Sequence, residues 1–202
     1  VVNSFGPFRR KPGKLRICGI DGFELMQFEK ALPTGLAGTP PHLDVFASGP
    51  THTLCVESKF LELLWPKEAK FAESYKNAIS RLADASWTSV YQSLKQDPRK
   101  FRFLDAAQLV KHYLGMRNTL IQSQSERVLL YVYWEPNNAL DHEEFRMHRN
   151  EVSAFSNMVK DSEITFLATS YPQLWNNWKD GLAWSESQDH VENLTRRYGF
   201  DV

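Results

Sequence analysis

The stretch His42–Glu62, HLDVFASGPTHTLCVESKFLE, divides into two apolar runs separated by Ser48-Gly49-Pro50. Glycine and proline interrupt regular structure and favour a turn. The first run surrounds one acid, Asp44, with Leu43, Val45 and Phe46. The second, Thr53–Phe60, is apolar up to Val56 and then sets Glu57 and Lys59 two positions apart. A strand has a side-chain period of two, so these two point to one face and Ser58 to the other. A hairpin brings Asp44 alongside them. Two carboxylates and an amine then converge at the end of a largely apolar sheet.

Close carboxylates repel one another, and burial raises their pKa values unless positive charge neutralises them. Lys59 supplies one such charge, and a divalent cation would supply the remainder. Oxygen ligands favour a hard ion such as Mg²⁺, which binds through one or two carboxylates, keeps several waters and completes its shell with phosphate oxygens. Lys59 would hold or deprotonate an attacking water while the metal stabilises charge on the phosphate.

Asp44, twelve intervening residues and then Glu57-Ser58-Lys59 resembles the PD-(D/E)xK nuclease superfamily, with its restriction-endonuclease-like fold. The fuller strings Leu43-Asp44-Val45-Phe46 and Val56-Glu57-Ser58-Lys59-Phe60-Leu61-Glu62 resemble a bacterial restriction-endonuclease-like family within it. The resemblance implies Asp44 and Glu57 as metal ligands, the Ser58 carbonyl as a further ligand, and Lys59 at the nucleophilic water. It also implies DNA as the partner, Mg²⁺ as the cofactor with Mn²⁺ able to substitute, and an oligomeric state left open, a dimer included. The proline that usually precedes the aspartate is displaced here: Pro40 and Pro41 lie four and three residues upstream. The alternative is a nuclease-fold protein that binds nucleic acid or a protein partner without cutting; retention of all three polar residues argues against it. A serine hydrolase is disfavoured because the chain has no G-x-S-x-G elbow.

The 202 residues suit a single restriction-endonuclease-like domain, with six Trp and thirteen Phe to build its core. Two cysteines without a C-x-x-C pair, and no apolar run long enough to span a bilayer, lead to the expectation of a reduced, cytoplasmic setting. A net charge of zero argues against a large non-specific nucleic-acid footprint.

Along the chain, residues 1–16 read as an irregular basic arm. Asp21–Leu32 reads as a first helix with an arc of Leu25, Phe28, Ala31 and Leu32. The resembled superfamily often adds an acid from this helix to the metal site, which the helical arc assigns to Glu24, with Glu29 second. A short first strand is expected near Leu36–Thr39, and a helical region from Trp65. Asp105–Ile121 is a helix with Gln108, Lys111, His112, Gly115 and Thr119 off its apolar face. Its counterpart in the resembled fold packs beside the active site, so Gln108 and His112 are candidates for contact with substrate or water. Arg127–Trp134 reads as a strand covered on both faces, Asp141–Lys160 as a helix, Glu163–Thr169 as a strand, and the segments from Ser170 and Ser185 as helices. The expected class is α/β: a mixed sheet flanked by helices.

Overall fold

The computed structural model describes residues 1–181 and 185–202. Strands β1 (Leu25–Ala31), β2 (His42–Ser48), β3 (His52–Lys59), β4 (Glu126–Tyr133) and β5 (Thr165–Ser170) lie side by side in chain order. The short turn after Ser48 returns the chain directly, so β2 and β3 run antiparallel, as do β1 and β2. β3–β4 and β4–β5 are parallel. Parallel neighbours need long crossovers, here supplied by helices. α1 (Val2–Phe5) begins the chain; α2 (Ser74–Leu82), α3 (Ala85–Gln96) and α4 (Ala106–Thr119) connect β3 to β4. α5 (Glu143–Val159) connects β4 to β5, and α6 (Tyr171–Gly181) and α7 (Ser185–Tyr198) follow.

Helices α4 and α5 cover the sheet face that carries Glu57 and Tyr131, since His112 reaches Glu57 and His148 reaches Tyr131. α6 covers the opposite face, where the Tyr171 hydroxyl lies 2.8 Å from Ser58 Oγ. Between the layers Leu54, Cys55, Val56, Leu129, Leu130 and Val132 are fully buried. Cys55 is a small core residue whose thiol is pushed up by burial. No helix among the described residues is long and apolar enough to cross a membrane.

Four local expectations are corrected. The segment expected as the first helix is β1, preceded by Gly19 and Gly22 at positive φ. Leu, Met, Gln, Glu, Lys and Ala all favour helices in isolation, but pairing along β2 overrides that weak preference. Leu36–Thr39 is accordingly not a strand. The region from Trp65 is not helical until Ser74, because the Lys67 and Ala69 amides donate to the Arg102 and Pro98 carbonyls instead of to their own turn. Residues 1–16 form short helical turns rather than a solvated arm: Phe5 and Phe8 are buried against Trp178, with ring centroids 5.5 and 5.0 Å away.

Candidate active site

The β2–β3 ladder runs from Ser48–Thr53 to Val45–Val56 and stops. The next rung, Asp44 opposite Glu57, is unpaired, while β3 remains paired with β4 through Lys59–Tyr133. The strands part at the acids. In place of a ladder bond the Ser58 amide donates to Asp44 Oδ2 at 2.7 Å. This bond holds Asp44 against β3.

Glu57 is 2% exposed and both its oxygens are occupied. Lys59 Nζ lies 2.7 Å from Oε1, and His112 Nε2 lies 2.7 Å from Oε2. An ionised carboxylate only accepts, so Nε2 carries the proton in this contact. The other ring nitrogen, Nδ1, is buried without a hydrogen-bond partner. Burial works against the charge on Glu57, but the His112 hydrogen bond and charge, followed by Lys59, outweigh it and hold the carboxyl below its ordinary value. For Lys59, burial is again the largest opposing effect. The Glu57 carboxylate, with Asp105 and Asp44 beyond it, overcomes that and raises the amine above its ordinary value. The resting lysine is therefore an ammonium, suited to hold a water or an anionic oxygen rather than to remove a proton.

Asp44 lies in the opposite balance. Burial first, then the charge of Glu57, pushes its carboxyl up to about 6, against lowering by the Ser58 amide and by Lys59. A divalent cation between these oxygens would offset both causes. Among the described residues no three His, Cys, Asp or Glu side chains are grouped to hold a metal. Mg²⁺ needs only one or two carboxylates when waters and phosphate oxygens complete its shell, so the Asp44–Glu57 pair suits it.

Glu24 lies exposed just before β1, with its amide on the Ser48 carbonyl, and is not part of the cluster. The acid on β1 at the level of Asp44 is Glu29. The register that pairs Phe28 with Val45 and Lys30 with Leu43 sets it opposite Asp44, and its charge acts on Asp44. Its φ of 52° is uncommon for a non-glycine residue inside a strand. On α4, His112 reaches the site, whereas Gln108 is half-buried and its backbone N–H donates to the capping Asp105. Ser58 contributes its amide to Asp44 and its hydroxyl to Tyr171.

Tyr131 and Tyr133 adjoin the site without being singled out by sequence. They sit level with Glu57 and Lys59 on the adjacent strand. Tyr131 Oη lies 2.9 Å from His148 Nε2, and burial raises its phenol, with Glu57 adding to the effect. The signal was present: two tyrosines at strand spacing match the spacing of Glu57 and Lys59, but only the parallel register aligns them.

A family model described as Restriction Endonuclease associating with ARP matches residues 1–199. The chain belongs to this family. Its five-stranded mixed sheet flanked by helices is a restriction-endonuclease-like fold. No curated protein and no solved structure matches it. In this member of the family, the Asp44–Glu57–Lys59 cluster occupies the end of the hairpin where the sheet opens.

Proposed function

We propose that the protein is a divalent-metal-dependent nuclease that hydrolyses phosphodiester bonds of DNA. The observation that carries this reading is the parting of β2 and β3 at Asp44 and Glu57, with the Lys59 ammonium held 2.7 Å from the buried carboxylate. Buried charge at the end of a sheet contributes little to stability and is suited to an anionic substrate.

Asp44 and Glu57 would hold Mg²⁺ or Mn²⁺, with the Ser58 carbonyl as a further oxygen donor. The bound cation supplies Lewis acidity that stabilises charge developing on the phosphate. Lys59 donates hydrogen bonds to the attacking water and orients it toward phosphorus. His112 fixes the carboxylate of Glu57 through its 2.7 Å hydrogen bond to Oε2. The water oxygen forms a bond to phosphorus, the ester oxygen leaves with the electrons of the broken P–O bond, and the proton released by water passes to solvent. The family description also supports a partnership with ARP, to be checked by co-purification of the two proteins.

The test is cleavage of plasmid and linear DNA with Mg²⁺ or Mn²⁺, comparing the wild type with Lys59→Ala and Asp44→Ala. The wild type is expected to cut, EDTA to stop it, and both variants to lose activity while keeping their circular dichroism. A wild type that cuts with neither metal and gives no calorimetric signal for Mn²⁺ would overturn the reading.

A further inference from the structure

Beside the acids lies an open groove of about 780 Å³ lined by Pro66, Lys67, Glu68, Lys70, Arg99, Arg102 and Asp105. We propose that this groove is the track for the phosphate backbone of the nucleic acid on one side of the scissile bond. The inference rests on the nuclease reading for its ligand class, and on four features of the groove for its location.

The first feature is charge. Four cations and two acids line the groove in a chain whose formal net charge is zero. Each acid is already engaged, Glu68 with Arg99 and Asp105 with Lys67. Lys70 and Arg102 have no ion pair among the described residues, and Arg102 instead lies over the Phe103 ring. The Arg99–Glu68 pair is a surface pair, with the arginine side chain 76% exposed. Water screens such exposed pairs and leaves them weak, so a phosphate can displace Glu68 from Arg99.

The second feature is rigidity. The two chain segments that form the walls are tied together, Lys67 N to Arg102 O at 2.7 Å and Ala69 N to Pro98 O at 2.8 Å. Glu151, from α5, accepts the successive amides of Arg102, Phe103 and Leu104, each at 2.8 Å. The cations therefore project from a backbone that is fixed before any ligand arrives. The third feature is continuity. Asp105 lines the groove, caps α4 and acts electrostatically on Lys59, while α4 carries His112 to Glu57. The groove thus adjoins the lysine side of the acid cluster. The fourth feature is shape. The cations lie along two segments of an open groove instead of converging on one point, which suits successive phosphates of a polymer more than a single phosphate group.

The test is binding of a fluorescein-labelled 20-base-pair duplex, followed by anisotropy in EDTA over a range of NaCl concentrations. The variants are Lys70→Gln with Arg102→Gln, and a charge-matched control, Lys160→Gln with Lys179→Gln. All four side chains are exposed, and melting temperatures verify folding. Loss of two phosphate contacts is expected to weaken binding about tenfold or more at moderate salt. It should also flatten the slope of log affinity against log salt by roughly 2, while the control keeps the wild-type slope. A groove variant with the wild-type slope overturns the proposal, as does a wild type that binds no duplex at low salt. Cleavage with Mn²⁺, measured in parallel, separates the two readings. A chain that cuts with an unchanged groove-variant slope retains the nuclease reading and loses the groove. A flattened slope without any cutting retains the groove and removes the catalytic reading.

Discussion

Asp44 has a carboxyl pushed from an ordinary 3.8 up to about 6, chiefly by burial and then by the charge of Glu57. The folded state therefore holds this proton more tightly than the unfolded chain does. The associated stabilisation is complete below about pH 4 and is lost as pH rises through about 6, and at pH 8 the ionised group costs on the order of 2 kcal/mol. Asp44→Asn keeps an oxygen for the Ser58 amide. In thermal melts with EDTA it should be more stable than the wild type at pH 8 and gain nothing at pH 4; an equal gain at both would refute the electrostatic account. Added Mn²⁺ should reverse the order at pH 8. For His112, replacement by alanine removes the donor to buried Glu57, with an expected loss of about 1–3 kcal/mol. It should also weaken Mn²⁺ binding about 10–100-fold, with partial rescue by glutamine. Alanine-variant calorimetry indistinguishable from wild type would deny His112 a positioning role. Asp44, Glu57 and Lys59 were legible as one group because a turn and a period of two suffice to bring them together. The choice of His112 over Gln108 was not, because both lie on one side of the same helix. What separates them is how far along its axis α4 meets β3, a tertiary quantity.

Among the elements, β1 shows how composition misleads. Apart from Phe28, LMQFEKA consists of good helix formers, and its apolar residues satisfy a helical arc as readily as a half-buried edge strand. The turn residues before it, Asp21 and Gly22, carry the better signal, since Gly22 has φ of 75° and redirects the chain onto the edge of β2. As a strand, β1 leaves Glu24 near Ser48 at the far end of β2 and sets Glu29 level with Asp44. Helix α4 was legible in extent, but not in depth: His112 and Gly115, taken as off-face positions, are both buried. Gly115 is required by packing. A Cβ there would lie 2.4 Å from the Leu32 carbonyl oxygen just beyond β1. Alanine is favoured over glycine inside a helix by about 1 kcal/mol, yet Gly115→Ala should destabilise by about 1–3 kcal/mol because overpacking against backbone dominates. Urea unfolding decides the sign, and a stabilised variant would mean that α4 moves freely away from β1.

For the molecule as a whole, the succession of strands and helices is readable because β4 is a near-continuous apolar run and the longer helices carry apolar faces, and the family match over 1–199 agrees with the fold class. The distribution of charge was not. A net charge of zero conceals a groove with two excess cations, assembled from segments some thirty residues apart that no composition count connects. A similar division in sequence distance runs through the acid cluster. Asp44, Glu57 and Lys59 belong to one hairpin, whereas His112 meets Glu57 from 55 positions away. Contacts that close short loops form faster than those that close long ones. The last rung of the hairpin pairs Val45 with Val56, both fully buried. In stopped-flow measurements Val45→Ala should chiefly slow refolding, and His112→Gln should chiefly hasten unfolding; the reverse pattern would contradict this order. The charged residues of the hairpin are thus set side by side early in the chain's assembly, and the histidine that steadies them arrives with the last long-range closures.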